Sequence, residues 1–157
     1  MLLPDLIWPG ALTLLAAFGA LSDIKWRRLP NWLALLLMAL GLAHGFAGGG
    51  IEAAGWHALH MAIALAAGMG LFAIGAWGGG DAKFYAGIAA FFPLERGIEL
   101  LLWVTLLGGA LVIGWMAGRR VFPRLMGTKP GLHGKFPYGI AIAAGGIATA
   151  WLPFLPA

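Results

Sequence analysis

Few side chains in this chain could move a proton, hold a metal or attack a carbonyl: six acidic residues, four histidines, a single serine and no cysteine. The missing cysteine removes a thiol nucleophile, a disulfide framework and any cysteine-ligated zinc. Ser22 lies in Leu-Ser-Asp, outside the Gly-x-Ser setting of a membrane serine nucleophile, and the zinc-protease motif His-Glu-x-x-His does not occur. His57 and His60 share a helical face near Glu52 and are expected at a membrane interface, while His44 and His133 have no partner at ligand spacing. No metal or other cofactor is therefore expected. Asp23 and Asp81 remain, each placed where an apolar run meets a polar turn. Two carboxyl groups that share a water cannot both ionise easily, so one can act as a base while the other donates its proton.

The elements that must position them are helices in a bilayer. Of the 157 residues, 61% are hydrophobic and 10% charged, against about 25% charged in soluble domains. A hydrocarbon core about 30 Å thick needs about 20 apolar residues per helix. Hydropathy and punctuation predict an all-α polytopic bundle of about six spans, over 6–21, 32–46, 58–77, 82–92, 100–117 and 136–155. Residues 1–157 show no linker and are expected to form one integral-membrane domain. Met1 to Gly10 carry Asp5 and no Lys or Arg, so the first run is expected to be a retained helix and not a signal peptide. Gly48, Gly49 and Gly50 are expected to form a loop, and the 26 glycines overall suit close helix packing.

Charge sets the expected orientation. Lys25, Arg27, Arg28, Lys83, Arg119, Arg120, Arg124, Lys129 and Lys135 fall on one side of the six-span plan, and Arg96 on the other. Short cytoplasmic loops retain Lys and Arg, so that side is expected to be cytoplasmic, with both termini outside. The net charge of +4 suits anionic lipid headgroups, and no basic and aromatic module accompanies it, so no nucleic-acid partner is expected.

Gly78, Gly79 and Gly80 break an apolar stretch just before Asp81, where ordered backbone is costly in entropy. Non-helical backbone at membrane depth must line protein or water, which predicts that Asp81 looks into a hydrated cleft. Asp81 could equally cap the helix that follows, and the two roles are compatible. Residues 82–92 are too few to cross a bilayer alone, since 11 residues reach about 16 Å. Asp23 precedes a basic turn ending in Pro30 and Asn31, which stop one helix and start the next. A salt bridge from either acid to Lys25 or Lys83 is the structural alternative, and lipid anchoring is the alternative for both lysines.

Three elements together resemble the type IV prepilin peptidases: Asp23-Ile24-Lys25 followed by Arg28-Leu29-Pro30-Asn31, then Gly78-Gly79-Gly80-Asp81-Ala82-Lys83, then Phe136-Pro137-Tyr138-Gly139. The resemblance implies a GxGD-type intramembrane aspartic peptidase in the bacterial inner membrane. It implies removal of the leader peptide of prepilins at the cytoplasmic face, with Asp23 and Asp81 catalytic and Gly78 and Gly80 as the motif glycines. Lys25 and Lys83 would then tune the carboxyls or touch substrate. The larger bifunctional members add a four-cysteine domain that this sequence lacks, so it looks like the short form serving tight-adherence (Flp-type) pili, although an archaeal preflagellin peptidase would look similar. Prepilin, membrane lipids and pilus assembly machinery are the implied partners. The competing class is a small ion-coupled transporter with Asp81 in a broken-helix site, for which inverted repeats would be expected.

Overall fold

The computed structural model describes residues 3–121 and 138–154. Arg124, Lys129, His133, Lys135, Phe136 and Pro137 lie outside the described residues, as does the side chain of Arg119. The helices are α1 (Leu3–Trp26), α2 (Asn31–Ala73), α3 (Gly79–Ala89), α4 (Gly97–Val121) and α5 (Tyr138–Trp151), with short 3-10 turns at Leu94–Arg96 and Leu152–Phe154. This is the expected helical membrane bundle. Three helices, α1, α2 and α4, are long and apolar enough to cross a membrane, and α5 is a shorter apolar helix.

One expectation about the breaks holds and one needs correction. The glycines at 48–50 do separate two helical arms, as a sharp kink within α2 in which Gly49 (φ −164°, ψ 28°) and Gly50 (φ 65°, ψ −151°) leave helical geometry. The kink reverses the chain. A methyl group on Gly45 would stand 2.8 Å from the His57 ring and 3.2 Å from Cα of Ala54, whereas a straight helix would separate residues 45 and 57 by about 18 Å. The second break begins earlier than the run of three glycines. α2 ends at Ala73, and Gly75 takes φ 76° in a paired C-terminal turn, with Ala76 N–H on Leu71 O (2.9 Å) and Gly75 N–H on Phe72 O (3.0 Å). A left-handed residue closes a helix at least cost when it is glycine. Gly79 and Gly80 are helical instead, in the first turn of α3.

The reversal lets both arms of α2 clasp α3. Gly41 on the first arm and Gly68 on the second approach Ala90 and Ala82 so closely that a Cβ would clash with each. From Phe84 to Phe92 the chain is buried throughout. α5 closes the other side, with Gly146 against Ile88 and Gly145 against Val104 of α4. Arg96 fastens the start of α4 by bonding Glu99 (2.8 and 2.9 Å) and the Thr149 carbonyl of α5 (2.6 Å).

The end of α3 explains the histidines, which are not interface residues. His57 and His60 are 6% and 3% exposed. Their Nδ1–H groups donate to Ala90 O (2.8 Å) and Phe92 O (2.9 Å), and His44 donates to Phe91 O (3.2 Å). A carbonyl only accepts, so each contact fixes the proton on Nδ1. His44 is not isolated either, since its ring meets that of His57 at 5.5 Å and that of Trp8 at 5.1 Å. Three successive carbonyls left without helical partners are thus satisfied by three rings from α2. His57→Leu strips the Ala90 carbonyl of its donor and is expected to cost about 1–3 kcal/mol. Thermal unfolding in detergent would read this as a lowered midpoint, against no change for Glu52→Gln at an exposed position.

Candidate active site

Asp23 stands in the last turn of α1, only 8% exposed. Its Oδ2 accepts the Gly139 N–H at 2.9 Å. Gly139 lies in the first turn of α5, where N–H groups have no intrahelical acceptor and the helix dipole favours an anion. The approach requires glycine, because a Cβ there would sit 2.9 Å from the same oxygen.

Asp81 repeats the arrangement. It lies in the first turn of α3, and its Oδ2 accepts the Gly78 N–H at 3.2 Å. A Cβ on Gly78 would stand 2.7 Å from that oxygen. Asp81 therefore does cap its own helix, as the capping alternative anticipated. Each acid takes an N–H from a glycine beside a helix start, and both stand at the same end of the bundle, opposite the histidines.

Two contacts bring the sequence motifs face to face. Gly80 packs on Leu29, whose Cβ lies 3.4 Å from where a Gly80 Cβ would be. Lys83 Nζ donates to Asn31 Oδ1 at 3.1 Å. The Arg28-Leu29-Pro30-Asn31 turn is thereby pinned to the Gly78–Lys83 segment. Lys25 is not drawn in: its Nζ lies 4.9 Å from the centre of the Trp26 ring, at the surface. Among the described residues neither aspartate forms an ion pair, the one ion pair being Arg96 with Glu99. No group of three or more possible metal ligands occurs among them either.

The acids act on each other. Burial holds Asp81 above the ordinary carboxyl range, the Asp23 charge pushes it further, and the Gly78 N–H partly offsets both, leaving it at about 6. Asp81 lies outside the long membrane-length helices. A carboxyl that keeps its proton near pH 6 beside a second carboxyl is the electrical state general acid and base catalysis on one water requires. An open cleft of ≈ 640 Å³ is lined by the chain neighbours of the two acids, Ser22 and Gly80, together with Arg27, Arg28, Asn31 and Trp32.

Sequence reasoning gave no role to three participants. Gly139 was visible only as the last residue of the Phe-Pro-Tyr-Gly element, and an N–H donor leaves no mark in a side-chain pattern. Asn31 looked like a helix cap, yet it receives Lys83. Arg27 looked like one more anchor in a basic turn.

A model of the type IV leader peptidase family matches residues 10–113, a stretch that includes both aspartates. Comparison with curated proteins and with solved structures returned no match.

The raised value at Asp81 has a consequence for stability. Protonation is favoured in the folded state, so the stabilisation is full below the ordinary value of 3.8 and is lost as pH rises through about 6. Asp81→Asn, which cannot ionise, is expected to unfold at a higher temperature than the parent at pH 8 and at nearly the same temperature at pH 4. Melting curves in detergent at the two values check this; a difference independent of pH would contradict it.

Proposed function

The chain belongs to the type IV leader peptidase family, and on that premise we propose that Asp23 and Asp81 form an aspartic dyad cutting the leader from prepilins. The whole chain, residues 1–157, is taken as one integral-membrane peptidase domain. The observation that carries the proposal is the meeting of two acids, distant in sequence, at one end of the bundle with the charge of one felt by the other. In the reaction one carboxylate deprotonates a shared water as the other donates its proton to the scissile carbonyl. Both motif glycines serve the geometry, Gly78 by its N–H and Gly80 by its packing on Leu29.

The basic residues of the cleft side, Lys25, Arg27, Arg28 and Lys83, support placing this end at the cytoplasmic face of a bacterial inner membrane, with both termini periplasmic. The absence of cysteine supports a short-form enzyme acting on Flp-type prepilins. Prepilin and lipid are the partners the reading requires, with pilus assembly machinery downstream. Lys83 acts through Asn31, holding the two acid-bearing segments in register. Transport by an ion bound at Asp81 is the weaker reading, because the break that carries Asp81 lies at the bundle's end and not at mid-depth.

The direct test is cleavage of a prepilin by the purified protein in detergent. Asp23→Asn and Asp81→Asn should each lower kcat/KM by about 10³-fold or more while the protein still inserts; normal processing by either variant ends the proposal. The pH dependence has a defined sign. The pair must hold one proton to donate to the scissile carbonyl, so kcat/KM is expected to fall as pH rises through about 6, where Asp81 ionises. Lys83→Gln and Asn31→Ala should each reduce kcat/KM by roughly 2- to 10-fold, as loss of one hydrogen bond implies, and the double variant no further. Full additivity would show that the two side chains act separately.

A further inference from the structure

Three hydroxyl groups donate hydrogen bonds to backbone carbonyls among the described residues, and one is unlike the others. Thr13 and Thr149 each bond the carbonyl four residues back on their own helix, Pro9 O at 2.7 Å and Gly145 O at 2.9 Å, the usual habit of a hydroxyl inside a helix. Ser22 is buried just before the last turn of α1 and reaches forward instead, to the Arg28 carbonyl at 2.7 Å, past the helix end. The chain leaves α1 through Arg27. Its φ of 54° and its N–H bond to the Asp23 carbonyl at 3.0 Å make the left-handed closure that usually falls to glycine. Residues 28 and 29 then make no backbone-to-backbone hydrogen bond among the described residues. Beyond the Arg27 closure, the hold of this turn on α1 is the Ser22 hydroxyl, and its hold on α3 is the seat of Leu29 on Gly80, with Lys83 on Asn31 beside it.

We infer that Ser22 is a positioning residue of the acid pair: by fixing the Arg28 carbonyl it seats Leu29 on Gly80 and so sets how Asp23 stands to Asp81. This rests on the dyad reading and adds to it the link that joins the two acids through the turn. The chain of contacts is continuous. Ser22 and Asp23 are consecutive and brace the same turn, one with its hydroxyl and the other with its backbone carbonyl. On the far side Gly80, against which Leu29 packs, directly precedes Asp81. Ser22 acts through the backbone and not on substrate, because its proton is given to a carbonyl. Two acids that share a water depend on their spacing, and a misplacement of about 1 Å can cost about 100-fold in rate. Stability depends less on the bond. Ser22 and Arg28 both line the open cleft, where water can replace a lost partner, so removing the hydroxyl loosens the turn more than it weakens the fold.

The experiment measures kcat and KM separately for prepilin cleavage by the purified protein in detergent, with melting temperature alongside, for Ser22→Ala, Ser22→Thr and Thr149→Val. Ser22→Ala should lower kcat about 10-fold, as loss of one positioning hydrogen bond implies, and change KM by less than about 2-fold. Ser22→Thr keeps the hydroxyl and should recover most of the rate. Thr149→Val removes a hydroxyl bond at the histidine end of the bundle and should leave kcat unchanged, whatever it does to the melting temperature. An unchanged kcat in Ser22→Ala overturns the inference, even if its melting temperature falls. So does a Ser22→Thr as slow as Ser22→Ala, since the hydroxyl would then not be what matters, and so does an equal loss in Thr149→Val, which would mark a general loosening. Should Ser22→Ala not insert, Ser22→Cys, whose thiol is a weak donor, decides the same question. Asp23→Asn separates the two ideas: a cleaving Asp23→Asn removes the dyad, whereas an inactive one beside a full-speed Ser22→Ala removes only the role of Ser22.

Discussion

A helix of 11 residues inside a membrane protein cannot deliver both of its ends to water, so its unpaired backbone groups must find partners within the fold. α3 meets that demand differently at its two ends. The carbonyls of Ala90, Phe91 and Phe92 are taken by His57, His44 and His60. At the other end a glycine N–H turns onto Asp81. The rest of the architecture follows from enclosing this short helix. α2 must double back at Gly49 and Gly50 to bring histidines to one end while its first arm flanks the other, and glycines at 41 and 68 let its backbone come close enough. Removal of either clasp would leave polar backbone in an apolar layer, where each unsatisfied group costs several kcal/mol.

Enclosure also sets the electrostatics. Because α3 starts inside the bundle's end and not in bulk water, Asp81 is partly desolvated, and its charge and that of Asp23 are poorly screened from one another. Among the described residues each acid accepts one N–H, which at Asp81 only partly offsets burial and the charge of Asp23.

Much of this was legible in the sequence, for reasons that can be named. The membrane class follows from composition, and the two acids stand out because almost nothing else in the chain can do chemistry. The break before Asp81 was visible as glycines, although its true start, Gly75, was hidden because a lone glycine in an apolar run looks like any packing residue. The reversal at 48–50 was legible as glycines too, and only its tightness was hidden, since period and hydropathy cannot tell a two-residue reversal from a longer loop. The histidines were misplaced for a related reason. Their partners are backbone carbonyls far along the chain, and no side-chain pattern points to them. The Gly139 contact with Asp23 was beyond reach for the same cause.

A broken helix with an acid at the break is common ground between a hydrolase and an ion-coupled carrier, so the break alone decides nothing. What surrounds the oxygens does. A coupling cation needs several oxygen ligands converging on it, from carboxylates and from unwound carbonyls. Here the carboxylates are approached by hydrogen-bond donors, the Gly139 N–H at Asp23 and the Gly78 N–H at Asp81. Such donors compete with a metal ion for the oxygens, yet they suit two acids that, on the proposed reading, divide one proton. The chain neighbours of the acids, Ser22 and Gly80, line an open cleft. An extended peptide could reach such a place, whereas an ion held there would be exposed to exchange with solvent throughout. On the proposed reading, the surroundings of Asp23 and Asp81 suit a proton-handling pair better than an ion cage.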